Sequence, residues 1–283
     1  MEARLEELGD FWAQVLEFAE KTAVRVGTQL MADFGQVQAA EKLDGSLVTQ
    51  SDKWADQEIR EAIAAAFPTH GVLSEEGEHV FPDTEWCWII DPLDGTTNFA
   101  RGIPIWGISM GLFYQGFPVF GYVYLPPLKQ TFSAFWNKEL EKSLTQNTQG
   151  AFLNSQPIHT SRDSLSKNHF FSFCTRSISA IEHPFPCKIR MLGVATYNFL
   201  MVAAGITLGG VEATPKIWDI AAVWTIINAA GGVWVPLEQE SIFPLEAGKD
   251  YSNRSYPTLV LSQPDLVPVF QPLVQSLNKS AKP

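Results

Sequence analysis

The sequence predicts an α/β (α+β) fold in which layers of helix and sheet alternate. Three observations lead there. Residues 5–34 and 51–67 repeat apolar side chains at helical spacing. Residues 106–135 change to short apolar runs cut by Gly and Pro turns. The remainder interleaves both kinds of segment, a pattern that layered architectures satisfy by burying one face of each element. With 283 residues, 46% of them hydrophobic and 18% charged, the chain can fill a large core and is too apolar for disorder.

In chain order, 5–34 reads as one or two amphipathic helices, with Phe11, Val15, Phe18, Ala19, Thr22, Val26 and Leu30 on one face and Gly35 as the stop. Residues 43–46 form a turn or hairpin around Asp44-Gly45. A second helix covers 51–67, with Ser51 or Asp52 as N-cap and Pro68 beyond its end. Residues 86–90 are a short apolar strand emptying into Asp91-Pro92, and 107–113, 119–124 and 131–135 form an antiparallel meander. The polar stretch 137–150 reads as a surface loop and divides the chain into an N-terminal α+β half, 1–145, and a C-terminal α/β half, 146–283. The second half mixes strands at 169–174, 188–191, 232–234 and 258–262 with helices at 196–204, 219–230 and 264–277. The Gly209-Gly210 and Gly231-Gly232 pairs read as turns.

Charge and cysteine content narrow the function. Twenty Lys+Arg against 31 Asp+Glu give a net charge of -11, which argues against nucleic acid as the main ligand. An acidic protein handling an anionic phosphate needs local positive charge, and carboxylate-held divalent metal would supply it. Cys87, Cys174 and Cys187 show no CxxC spacing, so a reducing compartment is expected. Residues 1–10 hold four acidic residues and no apolar core of a signal peptide, and no apolar run reaches membrane-spanning length. The expectation is a cytoplasmic protein with no membrane partner.

The most informative segment is Asp91-Pro92-Leu93-Asp94-Gly95-Thr96-Thr97-Asn98-Phe99. Asp91 and Asp94 leave the end of a buried strand and can converge on one hard cation, with the Leu93 carbonyl as a third oxygen, as Mg²⁺ requires. Backbone N–H groups of Gly95 and Thr96 at a helix start would then hold a phosphate. Asp-Pro and Asp-Gly are also ordinary turn formers, which accounts for either dipeptide but poorly for the whole run. A second segment runs from Trp218-Asp219-Ile220-Ala221-Ala222 to Ala230-Gly231-Gly232; Asp219 there reads as a helix N-cap, a role compatible with metal ligation. The charge run Ser74-Glu75-Glu76-Gly77-Glu78 reads by itself as a solvated loop.

Together these segments resemble the inositol monophosphatase family of lithium-sensitive, magnesium-dependent phosphatases. Residues 91–99 match its DPxDGTxNF signature and 218–232 its WDxAA…AGG signature; Lys42, Leu47-Val48-Thr49, Ser51-Asp52, Gly150-Ala151-Phe152 with Asn154, and Arg190 with Gly193 follow in register. The resemblance implies a layered αβαβα sandwich of the inositol monophosphatase/fructose-1,6-bisphosphatase type, assembled as a homodimer. It implies metal ligation by Glu75, Asp91, the Leu93 carbonyl, Asp94 and Asp219, so that the first half carries most ligands and the second carries Asp219 and the substrate pocket. Glu75 and Thr96 match the pair that activates the attacking water, with Asp52 a carboxylate near that water and Glu76 its acidic neighbour. Gly95, Thr96 and Thr97 fall on the phosphate cradle, while Asp94, Gly193, Ala195 and Glu212 align with positions facing the substrate's hydroxyls. Val194, Thr207 to Gly210, Thr214-Pro215-Lys216 and Ser155 depart from the pattern, all toward the substrate side.

The implied activity is hydrolysis of a small phosphate monoester by a metal-activated water, with two or three Mg²⁺ per site and inositol 1-phosphate as the expected substrate. Thr97-Asn98-Phe99 favours that branch over histidinol phosphate, fructose 1,6-bisphosphate or 3′-phosphoadenosine 5′-phosphate, on which the same chemistry would run. A non-enzymatic regulator on this scaffold is the reading from another class. The five histidines form no HxH or HExxH grouping, which excludes the usual zinc hydrolase pattern. Cys174-Thr175-Arg176 lacks the Gly- and Arg-rich loop of a cysteine-nucleophile phosphatase.

Overall fold

Alternate burial along the first helix sets the outermost layer of the computed structural model, which describes residues 2–42, 45–136, 150–181, 184–238 and 240–277. Helix α1 (Glu2–Asp33) buries Trp12, Val15, Ala19, Ala23, Val26 and Leu30, spaced three and four residues apart. Strands β1 (Ala40–Glu41) and β2 (Leu47–Val48) pair as the expected hairpin; of its turn, Leu43 and Asp44 lie outside the described residues. Helix α2 (Gln50–Ala66) is capped by Thr49, not by Ser51 or Asp52. Thr49 Oγ1 accepts from the Ser51 and Asp52 amides, and Asp52, at the third helical position, accepts the Thr49 N–H at 2.7 Å, closing a capping box.

The larger sheet follows. It contains β3 (Gly71–Ser74), β4 (Trp86–Asp94), β5 (Gly107–Tyr114), β6 (Phe117–Leu125), β7 (Gln130–Phe135), β8 (Gly150–Leu153) and β9 (Gln156–Ile158), in that spatial order, with the short helix α3 (Thr96–Ala100) after β4. Only β3 and β4 run parallel; the rest form the expected meander. The surface loop expected at 137–150 lies, except for Gly150, outside the described residues.

The smaller sheet holds β10 (Phe170–Phe173), β11 (Lys188–Arg190), β12 (Gly209–Glu212), β13 (Val233–Pro236) and β14 (Thr258–Leu261), in the order β11-β10-β12-β14-β13. Helices α4 (Ala195–Ala203), α5 (Ile217–Ala229) and α6 (Val267–Val274) complete the chain, with a 3-10 turn, Pro264–Leu266, leading into α6. Gly209-Gly210 is therefore a strand interior and not a turn. A Cβ on Gly209 would lie 2.5 Å from Phe171 Cε2, so the glycine lets that ring lie flat over the neighbouring strand.

Side-chain alternation assigns the layers. Along β4, Trp88 and Ile90 join the core shared with α1 and α2, whereas Cys87 and Ile89 join the core shared with α4 and α5. Both faces of β4 are thus covered, and it reads as an unbroken apolar run. On the small sheet, Val260 faces α4 and α5, while Leu259 and Leu261 face Phe270 and Val274 of α6. The stack is α1/α2, seven-stranded sheet, α4/α5, five-stranded sheet, α6, which is the αβαβα sandwich.

The central interface is unusually close. A Cβ on Gly121 would lie 2.1 Å from the Ala222 carbonyl oxygen, and one on Gly111 would lie 2.9 Å from the Ala221 carbonyl carbon. Glycines on the sheet and Ala221-Ala222 on α5 let helix backbone rest on strand backbone. That contact fixes the start of α5 over the end of β4, where the site forms. No helix among the described residues is long and apolar enough to cross a membrane.

Candidate active site

Strand ends and helix starts converge on one cleft of about 510 Å³. β3 ends at Ser74 and delivers Glu75; β4 ends in Asp91 to Asp94; the first turn of α5 delivers Asp219; β12 ends at Glu212. Of the expected residues, Glu75, Asp91, Leu93, Asp94, Gly95, Thr96, Thr97, Gly193, Ala195, Glu212 and Asp219 all line the cleft. Asp52 stands behind that wall and reaches it through Thr96. The charge run at 74–78 is not a solvated loop: Ser74 is fully buried and the Glu76 side chain is only 8% exposed.

Asp91, Asp94 and Asp219 each bring a carboxylate oxygen within 4.8 Å of the other two. Burial raises all three well or clearly above the ordinary carboxylate range; mutual repulsion adds to it for Asp91 and Asp219, and hydrogen bonds from Thr196 oppose it for Asp94. Two point charges at that separation repel by roughly 3 kcal/mol at an effective dielectric of about 20. The trio is therefore stable either protonated or facing a cation. An all-oxygen, carboxylate-rich donor set is the chemistry a hard divalent ion takes, so these residues fit a metal. Glu75 stands outside the 4.8 Å group, and its Oε1 accepts from Lys42 Nζ at 3.0 Å. Burial pushes the Glu75 carboxyl up to about 7 although Lys42 draws it down.

Each carboxylate is held by its own local geometry. Asp91 Oδ1 accepts from the Leu93 amide at 3.0 Å, so the Asp-Pro-Leu step folds back on the strand end. Asp94 Oδ2 accepts from the Thr196 amide at 2.8 Å and from its hydroxyl, which ties β4 to α4. Asp219 is not the N-cap of α5. It occupies the third helical position and accepts the Lys216 N–H at 2.6 Å, so the capping function and the second, cleft-facing oxygen coexist in one carboxylate. Glu212 accepts from Asn198 Nδ2 at 2.6 Å, and burial moves it up to about 7.

The Gly95 turn needs its glycine, because φ is +95° and an added Cβ would lie 2.7 Å from Val194 Cγ2. Asn98 fastens the turn to the opposite wall by donating to the Ile105 and Leu192 carbonyls at 2.9 and 2.8 Å, immediately beside Gly193. Val194, which replaces a small hydroxyl residue, thus packs on the turn and offers no polar group. The Cys174 thiol lines the cleft but is pushed up by burial and by Glu212, which leaves it a poor nucleophile.

Sequence reading missed four participants: Lys42, which bridges Glu75 and Glu76; Thr196 and Asn198, which hold Asp94 and Glu212; and Arg176 in the cleft wall. Thr196 and Asn198 left a faint signal as fully buried polar residues in an otherwise apolar helix.

Known proteins agree with this arrangement. The sequence profile described as the inositol monophosphatase family matches residues 12–263. The inositol-1-monophosphatase of Synechocystis sp. is 34% identical over 232 residues, covering 77% of each chain. The fructose-1,6-bisphosphatase/inositol-1-monophosphatase of Aquifex aeolicus is 35% identical over 234 residues, 77% of this chain and 84% of that one. The solved structure of a Thermotoga maritima IMPase superimposes with a TM-score of 0.74 at 29% identity, covering 93% of this chain and 96% of that one. A profile spanning most of the chain, relatives named as phosphatases and a carboxylate cleft suited to a cation agree, and the protein belongs to the inositol monophosphatase family of metal-dependent phosphomonoester hydrolases.

Proposed function

We propose that the protein hydrolyses inositol 1-phosphate with Mg²⁺ held by Glu75, Asp91, the Leu93 carbonyl, Asp94 and Asp219, two or three ions per site. The observation that carries this reading is the buried trio Asp91, Asp94 and Asp219, from both halves of the chain, within 4.8 Å of one another. Bound Mg²⁺ supplies positive charge to the phosphoryl oxygens and lowers the pKa of water in the cleft.

The chain's own residues do the rest. Glu75, with a carboxyl near 7, is poised to accept a proton from the attacking water at neutral pH. Thr96 gives its hydroxyl proton to Asp52, which leaves its lone pairs to orient that water. Backbone N–H groups at Gly95, Thr96 and Thr97 hold phosphoryl oxygens, with the left-handed Gly95 bending the chain toward them. Asp94, Gly193, Ala195 and Glu212 receive the inositol hydroxyls, the two carboxylates as acceptors fixed by Thr196 and Asn198. Residues 1–145 supply most of the ion-binding groups and 146–283 supply Asp219 and the inositol wall. The resemblance to the family supports a homodimer, and three free cysteines support the cytoplasm.

Phosphate release from inositol 1-phosphate, histidinol phosphate, fructose 1,6-bisphosphate and 3′-phosphoadenosine 5′-phosphate, each with Mg²⁺, with chelator and with added Li⁺, tests the reading. Preference for inositol 1-phosphate, abolished by chelator and inhibited by Li⁺, is expected. Preference for another member of the panel would reassign the substrate, and no Mg²⁺-dependent release from any would remove the reading.

A further inference from the structure

The cleft is acidic at its floor and cationic along one wall. Glu75, Asp91, Asp94 and Asp219 form the floor, whereas the basic residues among the described lining are Arg176 and Lys216. Arg176 stands on the 3-10 turn Thr175–Ala180 after β10, and its Nη1 donates to Thr214 Oγ1 at 2.7 Å. Lys216 immediately precedes α5, and its Nζ donates to the Ser252 carbonyl at 3.0 Å. The Tyr256 amide in turn donates to the Pro215 carbonyl at 2.8 Å, which pins the 214–216 segment. Two cations from different segments are thus steadied by neutral oxygens on the same wall.

Thr214-Pro215-Lys216 is the stretch that departs from the family pattern, and the hydrolysis of a singly phosphorylated polyol gives it no task. In a chain with net charge -11, a second anionic group on the leaving portion of a substrate would be repelled by Glu212 and Asp94 unless a cation received it. A guanidinium fork and an ammonium are the two side chains suited to doing so. A 510 Å³ cleft also has room for more than one phosphorylated arm.

We infer that Arg176 and Lys216 are specificity-determining residues that bind an oxyanion, a second phosphate or a carboxylate, on the leaving-group side of the substrate, so that the cleft also takes doubly anionic phosphomonoesters. The inference rests on the phosphatase reading of the same cleft.

The test compares kcat/KM within two matched pairs at fixed Mg²⁺: fructose 1,6-bisphosphate against fructose 1-phosphate, and 3-phosphoglycerate against glycerol 3-phosphate. The parent enzyme is expected to favour the doubly anionic member of at least one pair, and Arg176→Gln and Lys216→Gln each lower that preference about tenfold, the loss of one charge-assisted hydrogen bond. The pair that responds says whether phosphate or carboxylate is received. Turnover of the singly anionic members with preferences unchanged within twofold would overturn the inference and leave the phosphatase reading standing. Absence of Mg²⁺-dependent turnover in every pair would instead overturn the reading beneath it. Arg176 is exposed and its substitution is carried by solvent, so the test survives a Lys216 variant that folds poorly.

Discussion

Thr96 Oγ1 donates to Asp52 Oδ1 at 2.7 Å, joining the turn after β4 to the first turn of α2 across 44 residues of sequence. The bond settles which way the hydroxyl proton points, and so which side of the oxygen faces the cleft.

Thr96→Val is therefore expected to lower kcat by about 100-fold or more, the usual scale for a lost water-positioning group, with little change in melting temperature. Asp52→Ala should do likewise and also cost about 1 kcal/mol of stability, because it opens the capping box with Thr49. Steady-state phosphate release and thermal melts would check both. A Thr96→Val enzyme within threefold of the parent would end the assignment.

Asp91 is fully buried among like charges, so removing its charge should help the metal-free fold while harming function. Asp91→Asn keeps an acceptor for the Leu93 amide. In chelator at pH 8 the variant is expected to melt higher than the parent, to lose its Mg²⁺-induced rise in melting temperature and to lose activity at least 100-fold. Retention of the Mg²⁺ response would show that Asp91 holds no ion.

Protonation should compete with the cation. Burial raises Glu75 from 4.5 to about 7, so its contribution to metal-free stability is fully present below about pH 4.5 and is lost as pH rises through 7. Mg²⁺ needs the ionised form, so its stabilising effect should grow over the same window. Melting curves from pH 5 to 8, with Mg²⁺ and with chelator, read both trends. A Mg²⁺ shift of constant size across that range would contradict them.

Gly121→Ala probes the contact between α5 and the large sheet. The new methyl would meet the Ala222 carbonyl at 2.1 Å, a backbone atom that cannot rotate aside. The expected loss is about 3 kcal/mol or more, read by urea denaturation, with activity falling because the Asp219 end of the helix moves. A loss below about 1 kcal/mol would mean that the helix adjusts freely.

His70 offers a separate acid-side effect. Trp88 Nε1 donates to its Nδ1 at 3.2 Å, and burial lowers its pKa from 6.5. Its contribution to stability is present above pH 6.5 and declines below it, since the unfolded chain takes up the proton first. His70→Gln should flatten the pH dependence of the melting temperature between pH 5 and 6.5, and an unaltered slope would count against it.

Local chemistry was enough to reveal most of the elements and the acidic ligand candidates. Helical spacing on α1, the strand-to-turn run 86–99 and the two long signatures are written in neighbouring residues, where backbone preferences and side-chain periodicity act directly. Cap positions were off by two or three residues because Thr49, Asp52, Lys216 and Asp219 each satisfy more than one local pattern, and only the hydrogen bonds choose among them. The Gly209-Gly210 strand was misread because glycine marks both turns and tight strand contacts, and the Phe171 ring that decides between them comes from a distant segment. Tertiary structure alone decided that Thr196 and Asn198 hold Asp94 and Glu212, that Lys42 reaches Glu75, and that Arg176 and Lys216 share a wall. Those pairings depend on the packing of layers that meet only when the chain is folded, and such distances leave no periodic trace in the order of residues.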